Sequence, residues 1–204
     1  MKTQQLLIDI IMRLLASVGI TYFAWQTWLT YALTNKKIFL LLFATEFFTI
    51  CLVIFAKQTA TRDFSPLPVL LTIIASFYFF LIYLDKGITL IPEKLGEIMM
   101  IVGISIQIIS KVYLGRNFGL LPARRGIVTK GPYQIVRHPI YFGYFITHMA
   151  FLLSLFSIHN LVVYVFLYTV QFGRIFYEEK KLSIDPNYQL YMQKVKYKFI
   201  PFLI

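Results

Sequence analysis

Two short stretches of this sequence gather side chains that could do chemistry. The first is "VRHPIYFGY", Val136 to Tyr144, in which Arg137 and His138 stand directly before Pro139 and two tyrosines follow three residues apart. Proline suits the first position of a helix, where its missing N–H costs nothing, and this puts His138 near the N-cap. A helix start of that kind offers free backbone N–H groups and the positive end of the dipole to an anionic group. The second stretch is "GRIFYEEKKL", Gly173 to Leu182, with Arg174 one helical turn before Glu178 and Glu179 next to it. A helix N-terminus, a histidine, two tyrosines, two carboxylates and an arginine are the parts of a binding site if the fold brings them together. Taken singly they have structural readings: Arg137 reaching for lipid phosphates, and Glu178 pairing with Arg174 or Lys181.

The elements that must position these groups are apolar. The 204 residues are 58% hydrophobic and only 14% charged, whereas soluble chains carry about 25% charged residues. Apolar runs near the length of a membrane span recur six times. They cover roughly 8–32, 38–56, 66–84, 95–114, 140–158 and 161–176. The fifth and sixth are separated only by "HN", His159 and Asn160, so they are expected to form an antiparallel hairpin. That hairpin returns Glu178 and Glu179 to the neighbourhood of Arg137 and His138, with Arg174 somewhat deeper. Asp9 and Arg13 break the first apolar run, which therefore reads as a retained helix and not as a cleaved signal. The fold class is all-α: a polytopic membrane helix bundle of about six spans, ending in a helical hairpin. Before that hairpin runs "LGRNFGLLPARRGIVTKGPYQ", rich in glycine and proline, which reads as a compact, ordered cytoplasmic connection. The chain is expected to be one membrane domain, 1–204.

A net charge of +11 could suggest nucleic acid, but its distribution points to a membrane. With six spans, sixteen of the twenty lysines and arginines fall on the side shared by both termini, and only Lys36, Lys37, Lys86 and Lys94 on the other. This positive-inside bias places both termini in the cytoplasm, and the basic face suits anionic lipid. No nucleic-acid partner is expected, and no oligomeric state is implied. The single Cys51 lies within an apolar run and signals neither a disulfide nor a metal site. Glu46 and His148 stand inside spans, where an ionisable group is a functional candidate by default. The structural readings are a protonated Glu46, or one paired within the bundle with Arg13 as a candidate, and an interhelical hydrogen bond for His148.

The order "GPYQIVRHPIYFGY", a hydrophobic hairpin, "EEKKL" and "YQLYMQKVKYKFIP" resembles the integral-membrane methyltransferases of the isoprenylcysteine carboxyl methyltransferase and phospholipid methyltransferase type. The shared pattern is Gly-x-Tyr, Arg-His-Pro-x-Tyr-x-Gly, a hydrophobic stretch, Glu-Glu, and a tail of spaced tyrosines ending in proline. It covers about Leu114 to Pro201. The resemblance implies an S-adenosyl-L-methionine site facing the cytosol, formed by residues 93–204 as the catalytic core, with 1–92 as N-terminal spans. It assigns Tyr133, His138, Pro139, Tyr141, Gly143, Glu178 and Glu179 to the cofactor pocket. Arg137 would anchor the loop or the cofactor carboxylate. Carboxylates and tyrosine rings would suit the ammonium, ribose and sulfonium. Arg174 and Glu178 are the catalytic candidates: Arg174 for an anionic head group, Glu178 (or Glu179 or His138) for the proton of an amine. The acceptor would be a lipophilic or lipidated molecule, presenting a carboxylate, amine or thiol, that enters from the bilayer. No metal is required. In keeping with this, no Gly-x-Gly-x-x-Gly follows a strand-like run. A location in the cytoplasmic or endoplasmic reticulum membrane follows. Two other classes share parts of the pattern: a membrane reductase of the sterol-reductase type using NADPH, or an isomerase, and a non-catalytic scaffold that kept the fold.

Overall fold

The computed structural model describes residues 3–55, 64–117, 119, 121, 123 and 126–203. Lys2, Lys57, Arg62, Arg124 and Arg125 lie outside the described residues. Seven α-helices form the described chain: α1 (Thr3–Thr34), α2 (Lys37–Phe55), α3 (Pro66–Phe77), α4 (Glu93–Leu114), α5 (Pro139–Ser154), α6 (Ile158–Leu182) and α7 (Pro186–Lys194). Single 3-10 turns follow α3 and α4 and precede α5. The described residues contain no strand, only an isolated bridge between Ile88 and Phe156. The all-α bundle expected from the apolar runs is the architecture found.

Glu93–Leu114 is the helix that is both long and apolar enough to cross a membrane among the described residues; Pro66–Leu81 and Pro139–Ser154 are apolar but shorter. α1 and α2 form a hairpin, turned by Asn35 in the left-handed region at φ 56°, where the Asn35 N–H closes on the Tyr31 carbonyl at 2.7 Å. The core runs between the helices, around Met100, Ala150, Phe151 and Leu167, with Phe39 and Leu42 of α2 against it.

α5 packs chiefly on α4. The two helices cross antiparallel with almost no side chain between them. A Cβ on Gly143 would lie 2.8 Å from the Gly103 carbonyl oxygen and 2.9 Å from the Gln107 backbone nitrogen, and one on Gly103 would lie 2.9 Å from the Gly143 carbonyl oxygen. Beside this approach Gln107 donates to the Thr147 hydroxyl at 2.8 Å, and Thr147 donates to the Gly143 carbonyl at 2.9 Å. Backbone cannot retreat as a flexible side chain can. Gly143→Ala is therefore expected to cost about 1–3 kcal/mol. Thermal unfolding in detergent would read this as a lower melting temperature, and an unchanged one would mean that the helices can separate freely.

The hairpin between α5 and α6 turns earlier than the "HN" dipeptide suggests. α5 ends at Ser154, and Ser157 is the N-cap of α6, its hydroxyl accepting the Asn160 N–H at 3.1 Å. His159 and Asn160 thus lie in the first turn of α6. Asn160 is fully buried and bonds both the N–H and the carbonyl of Tyr83 (3.0 and 3.1 Å), while His159 bonds the Leu81 carbonyl. Two polar residues that look like a loop in the sequence instead pin the α3–α4 connection to α6.

Candidate functional site

The start of α5 is held by the C-terminal tail. The Arg137 and His138 N–H groups donate to the Tyr197 and Lys198 carbonyls at 2.9 and 2.8 Å. Arg137 Nη1 donates to the Val195 and Lys196 carbonyls at 2.8 and 3.1 Å. Its Nε and Nη2 form a fork on Glu179 Oε1 and Oε2 at 2.6 and 2.9 Å. The end of α6 thus meets the start of α5, as an antiparallel hairpin requires. All three guanidinium nitrogens of Arg137 are engaged within the protein, and the side chain acts as the anchor of the loop and tail.

Glu179 is also occupied. Its side chain is 14% exposed, with His138 Nε2 at 3.1 Å and the Tyr188 hydroxyl donating at 3.4 Å. Burial by itself raises this carboxyl; hydrogen bonds from His138 and Arg137, with their charges, outweigh it and hold the group down at about 2. A depressed carboxylate stabilises the fold fully above its unfolded value, near 4.5, and the stabilisation disappears as pH falls towards 2. Acid titration of stability between pH 4.5 and 2 should therefore be shallower in Glu179→Gln than in the parent protein. Equal slopes would show that Glu179 is not the titrating group.

Glu178 has a different setting. Its side chain is 35% exposed, the Tyr141 hydroxyl donates to Oε2 at 3.2 Å, and His138 Nδ1 stands 4.0 Å from the same oxygen. His138 therefore lies between the two neighbouring carboxylates. It is the N-cap of α5, Pro139 follows in the first turn, and no side chain caps the helix.

Two cavities meet at Glu178 and Tyr141. The smaller, of about 70 Å³, is lined by Tyr133, His138, Pro139, Glu178, Tyr188 and Tyr191 among others. Its three tyrosines, Tyr133, Tyr188 and Tyr191, pack with Val195 in one hydrophobic cluster, in which Tyr191 donates to the Tyr133 carbonyl at 2.6 Å and Tyr133 to the Ser110 carbonyl at 3.3 Å. Burial raises all three tyrosine hydroxyls, so they remain neutral hydrogen-bond donors. The larger cavity, of about 170 Å³, runs into the bundle past Tyr144, His148, Gln171 and Arg174 to Glu46 and Tyr78. Leu114, Gly126, Ile140, Tyr141, Glu178 and Leu182 border both.

Of the residues singled out from the sequence, Tyr133, Arg137, His138, Pro139, Tyr141 and Glu178 line the smaller cavity, and Glu178, Tyr141 and Arg174 the larger. Gly143 lies elsewhere. It faces α4, where only a hydrogen fits against Gln107 and Gly103, and its place is one of helix packing. Glu179 stands behind His138, with its oxygens spent on Arg137, His138 and Tyr188. Arg174 donates to Gln171 Oε1 at 3.1 Å, and its guanidinium carbon lies 5.6 Å from the centre of the Tyr141 ring.

His148 makes the interhelical bonds expected of it, at 2.8 Å to the Tyr78 hydroxyl through Nε2 and at 2.8 Å to the Tyr168 hydroxyl through Nδ1. The partner of Glu46 differs from the expectation. Arg13 donates to the Ile54 carbonyl at 3.5 Å, and the cation whose charge acts on Glu46 is Lys111. Lys111 was counted among the cytoplasmic charges, yet it is fully buried, donating to Thr49 Oγ1 at 2.9 Å with Nζ 4.9 Å from the centre of the Tyr144 ring. It stands in the last turn of α4, where the sequence reads like that of any lysine at a helix end.

Residues 97–184 match the model of the isoprenylcysteine carboxyl methyltransferase (ICMT) family, the family to which the motif pointed. The match begins in α4 and ends just past α6, a little under half of the chain. No curated protein matches the sequence.

Proposed function

We propose that this protein is an S-adenosyl-L-methionine-dependent methyltransferase acting on a lipophilic acceptor at the cytoplasmic edge of the membrane, with both termini in the cytoplasm. The observation that carries the reading is the junction of two cavities at Glu178 and Tyr141, within the stretch matching the methyltransferase family. A transferase of this kind needs two binding spaces with one shared wall, so that donor and acceptor atoms meet in line at roughly 3 Å.

The residues at the smaller cavity fit the cofactor. The uncapped first turn of α5 suits its carboxylate. The Glu178 carboxylate, with free lone pairs beyond the Tyr141 bond, suits a hydroxyl or ammonium group, and the ring faces of Tyr133, Tyr188 and Tyr191 suit a cationic or aromatic one. S-adenosyl-L-methionine supplies an electrophilic methyl group on a sulfonium. The chain supplies position and exclusion of water. Arg137 and Glu179 fix the cavity wall, their polar atoms spent on each other, on the tail carbonyls and on His138, and Tyr141 holds Glu178. Arg174 at the rim of the larger cavity would hold an anionic head group. Where the acceptor is an amine, Glu178 would take the proton that the nitrogen loses on methylation. A carboxylate acceptor loses none.

Calorimetry in detergent with S-adenosylmethionine, S-adenosylhomocysteine and NADPH tests this. Binding of the two adenosyl compounds and not of NADPH is expected. Binding of NADPH alone would make the protein a reductase. Mass spectrometry of membranes supplied with labelled cofactor would then identify the methylated lipid.

A further inference from the structure

The larger cavity extends well beyond the distance a methylated group needs. Tyr141 and His148, seven residues apart on α5, both line it, which sets its length along that helix at about 10 Å. Its deep end is walled by Glu46, Thr49, Tyr78 and Phe79, all outside residues 97–184 that match the methyltransferase family. A slot for a plain prenyl or acyl chain would need only apolar lining such as Ile20, Ala75 and Phe79, but Glu46, Thr49 and Tyr78 stand among them.

The polar groups at that end are mostly satisfied. His148 spends both ring nitrogens on Tyr78 and Tyr168. Lys111 lies behind the wall on Thr49 and the Tyr144 ring. Glu46 shares its helix face with Thr49, three residues on, yet it takes part in no hydrogen bond among the described residues while it lines the cavity. A hydrocarbon at this depth would leave the Glu46 oxygens desolvated and unpaired. A cation would be repelled by the Lys111 ammonium, whose charge already acts on Glu46. An uncharged O–H or N–H donor satisfies both conditions.

We propose that Glu46 is a specificity-determining residue that accepts a hydrogen bond from an uncharged donor, foremost a hydroxyl, on the buried end of a lipophilic acceptor whose other end is held near Arg174 and Glu178. This deepens the methyltransferase reading and rests on it for the word acceptor, but the binding it describes can be measured without the reaction.

The probes are pairs of eight- to twelve-carbon fatty acids with and without an ω-hydroxyl, their carboxylates directed to Arg174. Calorimetry of the full chain in detergent, without cofactor, gives each affinity. The hydroxylated member is expected to bind about tenfold or more tightly, the preference given by a hydrogen bond to a charged group. Glu46→Ala should abolish the preference, and Glu46→Gln, which keeps an acceptor oxygen, should leave a reduced one, with melting temperatures confirming that both variants are folded. Equal affinities in the parent protein, or a preference undiminished in Glu46→Ala, would overturn the proposal. S-adenosylhomocysteine binding is measured in parallel. Its loss from the parent protein would remove the methyltransferase reading while leaving the hydroxyl preference to stand or fall by itself.

Discussion

Arg137→Met is expected to lower the stability of the folded protein by about 3–5 kcal/mol, the usual cost of removing one partner of a buried ion pair. The substitution keeps most of the side-chain volume and removes the fork on Glu179 together with the bonds to the Val195 and Lys196 carbonyls. Glu179, only 14% exposed, would keep His138 and Tyr188 against its charge and lose its strongest partner. Lysine should not restore the loss, because a single ammonium cannot span a carboxylate and two carbonyls as a planar fork does. For a chain of this size each kcal/mol moves the melting temperature by about 2–4 °C, so the shift is readily measured in detergent. Limited proteolysis should cut the tail after Lys194 faster in the variant. Arg137→Met combined with Glu179→Leu should be less harmful than the sum of the single changes, since the unpaired carboxylate is gone. Strict additivity would show that the two residues act separately.

The second large effect separates the neighbouring carboxylates. Glu178→Gln should leave the melting temperature close to that of the parent protein and weaken S-adenosylhomocysteine binding by roughly 10–100-fold, the range for a hydrogen bond to a charged group. Glu178 is 35% exposed, lines both cavities and has the Tyr141 hydroxyl as its hydrogen-bond partner. Glu179→Gln should do the reverse in order: a clear loss of stability through Arg137 and the tail, with weaker binding only as a consequence of the displaced wall. His138→Ala touches both carboxylates and should show both effects. If Glu178→Gln bound the ligand as tightly as the parent protein, Glu178 would have no part in the cofactor pocket.

The adjacency of these groups was legible in the sequence because it follows from connectivity. Two apolar runs joined by a turn must be antiparallel, and the residues flanking them must meet, so residues 137–138 and 178–179 came together without any knowledge of packing. The cap was legible for a similar reason, since proline has few places in a helix other than its first turn. What stayed hidden depends on backbone or on partners distant in the chain. Gly143 fitted a motif, but its close approach to Gly103 is visible only once α4 and α5 are paired. The carbonyls of residues 195–198 that hold Arg137 and His138 carry no side-chain signature. Lys111 looked like one more cytoplasmic charge, because the sequence cannot show that a helix end turns its last basic residue inward towards Thr49 and Glu46.

The clamp on Arg137 joins residues 58 and 59 positions apart, and this orders events during synthesis. At about 5–20 residues per second, the start of α5 waits roughly 3–12 s for the carbonyls that will fix it. Through that interval Glu178 and Glu179 are already part of the chain, while the wall between the cavities still lacks its clamp. Completion of the pocket therefore waits until residues 195–198 have been made. A nascent chain arrested before Val195 would contain every side chain of the small cavity and still lack the backbone that shapes it.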